Sequence, residues 1–249
     1  LRDALDQDDS VIVFGEDVGT LGGVFRITDG LARDLGEDRC FDTPLAESGI
    51  VGFALGMAMN GFRPVVEMQF DAFAYPAFEQ LASHVAKMRN RTRGTVGVPM
   101  VIRVPYAGGI GGVEHHSDSS EAYYVHTPGL KVVTPATVAD AYSLLREAIA
   151  DPDPVVFLEP TRLYRSAKGE VQDNGEALPL DVAFVLREGR DVTLIGWGAI
   201  LKEVLEAAEM LAAGGVNAEV IVLGTLKPYD EETILASVAK TGRCVIVHE

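Results

Sequence analysis

Glu47 is a carboxylate at the head of a run too apolar to welcome one. It sits in Asp42-Thr43-Pro44-Leu45-Ala46-Glu47-Ser48-Gly49-Ile50, and behind it Gly49, Gly52, Ala54, Gly56 and Ala58 are interleaved with Ile50, Val51, Phe53, Leu55, Met57 and Met59. Such a run predicts a helix over 47–60 that is apolar all round and therefore buried, with its glycines offset by close backbone approach. A carboxyl group at the edge of that helix has its pKa raised by desolvation and can carry a proton near neutral pH. The same residue could simply complement the positive end of the helix macrodipole. Taken alone, Glu47 is compatible with both roles.

The second candidate is a glycine-dense loop that ends in histidines. Val101-Ile102-Arg103-Val104 runs on through Gly108-Gly109-Ile110-Gly111-Gly112-Val113-Glu114 to His115-His116-Ser117-Asp118. Glycine at that density lets backbone approach a ligand closely. No Gly-Lys-Ser/Thr follows and no Gly-x-Gly-x-x-Gly opens a helix here, so this is not a phosphate cradle. Adjacent histidines point in different directions, so at most one of His115 and His116 faces a site, and no further ligands stand at zinc spacing. A structural or solvent-facing role stays open for the pair. His126, before Thr127-Pro128-Gly129, reads as a turn residue, and His84 as an exposed helix position. Gln69 is followed by Phe70, Phe73, Tyr75 and Phe78, a stripe that by itself signals helix-face packing.

These side chains need a scaffold, and the chain supplies short β-branched runs alternating with longer helical patterns. Strands are predicted at 11–14, 65–68, 100–104, 131–134 and 155–158, and helices at 29–35, 47–60, 75–87 and 138–150. That order implies an α/β fold with a doubly wound, mostly parallel sheet covered on both faces. Ligands of such sheets bind beyond the carboxyl ends of the strands, which places Glu16, Asp17, Gln69 and the loop after Val104 on one edge. Residues 166–179 read as a linker between a first domain, 1–165, and a second α/β unit, 180–249. The second unit has strands at 192–195, 218–223 and 244–247 and helices at 200–213 and 231–240. Three parallel strands with two helices leave unpaired edges, so the natural protein is expected to continue past Glu249.

The 249 residues carry a net charge of −16, which argues against a nucleic-acid partner because phosphate binding needs a basic footprint. No apolar run is long enough to span a membrane. Cys40 and Cys244, far apart in apolar surroundings, read as buried reduced thiols of a cytoplasmic protein.

Six segments together are more specific than any one of them: GEDVGTLGGVFR (15–26), DTPLAESGI (42–50), GFRPVVEMQF (61–70), HHSDSSEA (115–122), HTPGLKVVTP (126–135) and DPVVFLEP (153–160). In order and spacing, over essentially the whole chain, they resemble the β subunit of the thiamine-diphosphate-dependent decarboxylating component of 2-oxo acid dehydrogenase complexes. Bacterial branched-chain 2-oxo acid enzymes are most similar, with pyruvate and acetoin relatives next. The resemblance implies a pyrimidine-binding domain followed by a smaller, apparently truncated transketolase-C-terminal-like domain. It makes Glu47 the catalytic glutamate of a proton relay to the pyrimidine ring of thiamine diphosphate. It also assigns Leu45 and Gln69 to cofactor contacts, Phe73 to packing on the aminopyrimidine, and His116 to positioning or proton transfer during acyl transfer to lipoyl. Ala148, Asp151 and Asp153 match positions at which the family holds a potassium ion, largely by backbone carbonyls.

The Gly-Asp-Gly motif that binds the magnesium diphosphate in thiamine enzymes is missing; Thr28-Asp29-Gly30 lacks its context. The resemblance therefore implies an α subunit that supplies the diphosphate half and the magnesium. It further implies an α2β2 heterotetramer, docked on a lipoyl acyltransferase core and acting on a small 2-oxo acid. Two other readings are carried along. One is the C-terminal half of a split transketolase-like enzyme acting on sugar phosphates, disfavoured by HHSDSSEA and by the weak basic content around the glycine loop. The other is a non-catalytic interaction module, against which Glu47 and His116 both speak.

Overall fold

The computed structural model describes residues 1–171 and 179–249. The first part of the chain forms α1 (Arg2–Gln7), β1 (Val11–Gly15), α2 (Leu31–Leu35), β2 (Cys40–Asp42), α3 (Glu47–Met59) and β3 (Arg63–Glu67). It continues with α4 (Tyr75–Gln80), α5 (Met88–Arg91), β4 (Val101–Tyr106), α6 (Glu121–His126), β5 (Lys131–Val133), α7 (Val138–Ala150) and β6 (Val155–Pro160). The second part adds β7 (Ala183–Arg187), β8 (Val192–Gly196), α8 (Leu201–Ala213), β9 (Ala218–Leu223), β10 (Thr225–Lys227), α9 (Glu231–Thr241) and β11 (Cys244–Val247).

One sheet has the order β10-β5-β6-β4-β3-β1-β2 and is parallel except for β10, which runs antiparallel to β5. Its strands are largely apolar on both faces because alternate residues face opposite sides and both sides are covered, with Glu67, Arg103 and Glu159 as buried charged exceptions. Ile12, Phe14, Val66, Met68, Ile102 and Val104 pack with α3 and with Ala77 and Leu81. Val11, Val13, Val65, Val101 and Val155 pack on the other face with Leu5, Leu31, Leu144 and Ala148. Helix α7 starts at a reciprocal cap, in which Asp140 N–H donates to Thr137 Oγ1 and Thr137 N–H to Asp140 Oδ2, each at 3.1 Å. Helix α9 opens on Asp230, which caps Thr233 N–H at 2.9 Å, and ends at Gly242 with φ +70°.

The doubly wound fold is as expected, and several details differ from the sequence reading. The pattern over 75–87 is not one regular helix: α4 passes through a π-helical turn at Leu81–Val85 before α5. The second sheet has four strands, β11-β8-β9-β7, and β7 is antiparallel to β9. Strand β10 joins the first sheet instead, and Ile195, Ile221 and Leu223 enter the same core as β1, β3 and β4. The two parts of the chain thus share a core rather than merely touching. Cys40 is buried, but Cys244 is exposed because β11 is an edge strand. Residues 172–178 of the expected linker lie outside the described residues. No helix among the described residues is long and apolar enough to cross a membrane.

Helix α3 departs most from expectation. It carries apolar residues all round, yet Phe53 is 54% and Met59 45% exposed, while Ile50, Val51, Ala54 and Ala58 are buried. Only one face of the helix finds a partner within this chain.

Candidate active site

Four neighbouring parallel strands, β4-β3-β1-β2, deliver the candidate residues to their carboxyl ends. Strand β1 leads to Glu16 and Asp17, and β2 leads through Asp42 to Leu45 and to Glu47, the first residue of α3. Strand β3 leads to Gln69, Phe70 and the short 3-10 turn Asp71–Ala74 that carries Phe73. Strand β4 leads to the histidine loop. Gln69 Nε2 donates to Asp17 Oδ2 at 2.8 Å, and Asp42 accepts Gly19 N–H at 2.7 Å, tying the edges of this cluster together. Leu45 is 78% exposed.

Glu16 is the residue that sequence reasoning placed on this edge but did not number among the site residues. It is 4% exposed, and neither carboxylate oxygen has a hydrogen-bond partner among the described residues. Burial, then the neighbouring charges of Glu47 and Asp17, push its pKa up to about 7. A carboxyl group whose pKa is raised toward neutrality therefore stands beside the charges of Glu47 and Asp17. The only cue in the sequence was a Gly-Glu pair directly after a continuous apolar strand. The sign of the linkage follows: the folded chain holds the Glu16 proton more tightly than the unfolded one, so this contribution to stability is present at pH 4 and is lost as pH rises through about 7. Glu16→Gln is expected to stabilise the chain by about 1–3 kcal/mol at pH 8 and to change little at pH 4. Thermal unfolding at the two pH values checks this, and an equal shift at both would remove the assignment.

Beneath the site lies a buried ion cluster. Arg103, 1% exposed, donates to both oxygens of Glu159 at 2.8 Å and to Glu67 Oε2 at 2.6 Å, and Tyr164 Oη donates to Glu159. Fixed bidentate geometry and several donors offset the desolvation of these charges. Gly23, at φ +79°, rests against this cluster; a Cβ there would meet Glu67 Oε1 at 2.5 Å. Phe25 stacks on Tyr164 with ring centroids 4.4 Å apart and meets Phe70 edge-on at 5.5 Å, so the loop after β1 is seated on the same layer.

In the histidine loop the His116 ring is partly buried against two phenylalanines, whereas the His115 ring lies tilted 6.0 Å from that of Phe73. His116 meets Phe70 edge-on at 4.5 Å and Phe73 at 5.3 Å, with the Phe73 and His116 planes at 86°. His115 is exposed. His116 Nδ1 lies 2.6 Å from the carbonyl oxygen of Glu114. A carbonyl only accepts, so Nδ1 carries the hydrogen and Nε2 of the neutral ring keeps its lone pair for chemistry. His126 ends α6 and is exposed, and His84 is half-buried in the π-helical turn.

Glu47, Gln69, Phe73 and His116 are thus gathered on one edge of the sheet. Ala148, Asp151 and Asp153 are not: they precede β6, at the amino ends of the strands. Asp151 is paired with Lys131 at 2.5 Å and Asp153 with Arg89 at 2.7 Å. Arg63 donates to the carbonyls of Ile149, Ala150 and Asp151 at 2.8, 3.0 and 3.2 Å. Among the described residues no group of three His, Cys, Asp or Glu side chains could hold a metal ion. An ion here would have to rest on carbonyl oxygens beside the Arg63 guanidinium.

The strand order and the two successive domains define a chain of transketolase type. Residues 1–167 match the family model of the transketolase pyrimidine-binding domain, and residues 181–249 that of the transketolase C-terminal domain. The chain is 54% identical over 250 residues to the 3-methyl-2-oxobutanoate dehydrogenase subunit beta of Mycobacterium tuberculosis, covering all of this chain and 72% of that protein. It is 52% identical over 246 residues to the pyruvate dehydrogenase E1 component subunit beta of Acholeplasma laidlawii, covering 99% of this chain and 75% of that one. Among solved structures, a split-gene transketolase described as an inactive β4 tetramer superposes with a TM-score of 0.79 at 25% identity, over 99% of this chain and 76% of that one. The chain belongs to the family of E1 β subunits of 2-oxo acid dehydrogenases.

Proposed function

We propose that this chain holds the aminopyrimidine half of a thiamine diphosphate site and, with an α subunit, oxidatively decarboxylates a branched-chain 2-oxo acid with acyl transfer to lipoyl. The observation that carries the reading is the buried, unpartnered Glu16 beside Glu47, at the carboxyl ends of the strands that also present Phe73 and His116. A buried carboxyl group with no hydrogen-bond partner among the described residues, beside the half-buried Glu47 and an exposed apolar helix face, fits a cofactor and a partner chain meeting at this edge.

In this reading Glu47 holds a proton at the ring nitrogen of the pyrimidine. Phe73 offers its ring to the aminopyrimidine, and Leu45 and Gln69 contact its edges. His116 Nε2 orients the substrate and moves a proton during acyl transfer. Bound thiamine diphosphate would supply the nucleophilic carbon and the electron sink for decarboxylation. Magnesium is assigned to the α subunit. Potassium is assigned a structural place on the carbonyls of Ala148, Asp151 and Asp153, outside the reaction. The division into 1–165, 166–179 and 180–249, the α2β2 assembly, the lipoyl acyltransferase core and a bacterial cytoplasmic setting belong to the same proposal.

Substrate choice is the finer part. Relatives named for 3-methyl-2-oxobutanoate and for pyruvate stand at 54% and 52% identity, so pyruvate is the alternative that a specific observation favours. Pocket differences of one or two methylenes change selectivity by about 10–200-fold. With the α subunit present, kcat/KM for 3-methyl-2-oxobutanoate is expected to exceed that for pyruvate by at least about tenfold. A preference for pyruvate would reassign the complex, and turnover of ketose phosphates instead of either acid would move the chain to the transketolase reading.

A further inference from the structure

Asp71 is 2% exposed and lies two residues before Phe73, on the same 3-10 segment. Its Oδ2 accepts Ser120 N–H at 2.9 Å, and its Oδ1 accepts Ser120 Oγ–H at 2.6 Å and Tyr124 Oη–H at 3.4 Å. Both oxygens of one carboxylate thus close on one serine, four residues after His116. Tyr75, on the far side of Phe73, donates from Oη to Asp118 Oδ2 at 2.8 Å. The two segments are laced together on either side of the ring pair.

The loop itself cannot fix His116. Ala107, Gly109, Gly111, Glu114 and His115 all have positive φ, so local preference does not select this path. Ser117 Oγ–H bonds to Gly112 O and His116 Nδ1–H to Glu114 O, both inside the loop, and neither sets its position on the protein. At the glycine end Thr161 Oγ1–H donates to the carbonyls of Ala107 and Gly108. At the histidine end, Ala107 N–H donates to the carbonyl of Asp118 at 2.7 Å, and the side-chain anchors are Tyr75 with Asp118 and Asp71 with Ser120. Asp118 is half-buried, while Asp71 is sealed, where a hydrogen bond to an ionised group is strongest.

We infer that Asp71 is a positioning residue whose carboxylate clamps the histidine loop through Ser120 and so keeps His116 against Phe73. The inference rests on the reading of His116 and Phe73 as site residues. An amide of the same shape has one accepting oxygen instead of two, so Asp71→Asn loses one side of the clamp, and Ser120→Ala removes the hydroxyl from the other. Ordinary core packing at Asp71 would predict lost stability in both variants. A clamp predicts a loosened loop on an intact fold.

The test uses the complex with its α subunit and two readouts, hydrogen exchange and steady-state kinetics. Asp71→Asn and Ser120→Ala are expected to speed exchange of the amides at 113–120 by about tenfold, with the melting temperature and exchange in β3 and β4 nearly unchanged. Each is expected to lower kcat by about tenfold with little change in KM, and Asp71→Asn to cost nothing further in a His116→Ala background. Unchanged loop exchange in both variants would overturn the clamp. A full additional loss in the His116→Ala background would overturn action through His116. Wild-type turnover by His116→Ala alone would instead sink the catalytic reading of that residue, with the clamp still decided by exchange.

Discussion

Glu47→Gln is expected to lower thiamine-diphosphate-dependent decarboxylation by at least about a thousandfold, in a complex that still assembles and still binds the cofactor. Glutamine keeps the shape of the side chain but can neither hold nor release the proton in question. The fold has no reason to suffer, because no described residue hydrogen-bonds the Glu47 carboxylate and the side chain is only half-buried. Removing its charge also relieves Glu16, whose elevated pKa is second in cause only to burial from this neighbour. The Glu16 proton should then be lost at lower pH, so the stability profile of Glu47→Gln shifts toward acid while activity disappears. A variant with near-wild-type turnover would end the proposed role of Glu47, whatever happened to the titration.

Gly56→Leu is expected to abolish assembly with the α subunit while leaving this chain folded. An added Cβ at Gly56 meets nothing within 4 Å, so the chain itself has room for a side chain there. Replacing a helical glycine should even stabilise α3 by about 0.5–1 kcal/mol. The same change puts bulk on the face that exposes Phe53 and Met59, where close backbone approach by a partner is the remaining reason for glycine in a helix. Size-exclusion chromatography with light scattering, together with the melting temperature of the isolated chain, separates the two effects. A variant that assembled normally would move the partner interface off α3. One that failed to fold alone would make the glycine a matter of internal packing.

The long, strongly patterned elements were legible in the sequence. Helices α7 and α8 and strands β9 and β11 fall within a residue or so of expectation, because each has an unambiguous period or a continuous apolar run. Strands β2, β7 and β10 were missed: β2 and β10 have three residues each, and β7 and β10 pair antiparallel with distant segments, which no local pattern reveals. For the site, the rule that ligands gather at the carboxyl ends of parallel strands sufficed to bring Glu16, Asp17, Gln69 and the histidine loop together. Hydrophobicity said that α3 is buried but not by what, and the face with Phe53 and Met59 is exposed in this chain. The state of Glu16 depends on burial and on Glu47, and the grip of Asp71 joins residues 49 apart. Neither can be read from spacing.

The central claim is that this chain carries half of an active centre. Its most direct test is thiamine-diphosphate- and magnesium-dependent decarboxylation of 3-methyl-2-oxobutanoate by this chain alone, by a candidate α subunit alone, and by the two together. Activity confined to the mixture is the predicted result. Full activity of this chain alone would contradict the account, because it would place the diphosphate site within residues that carry no motif for it.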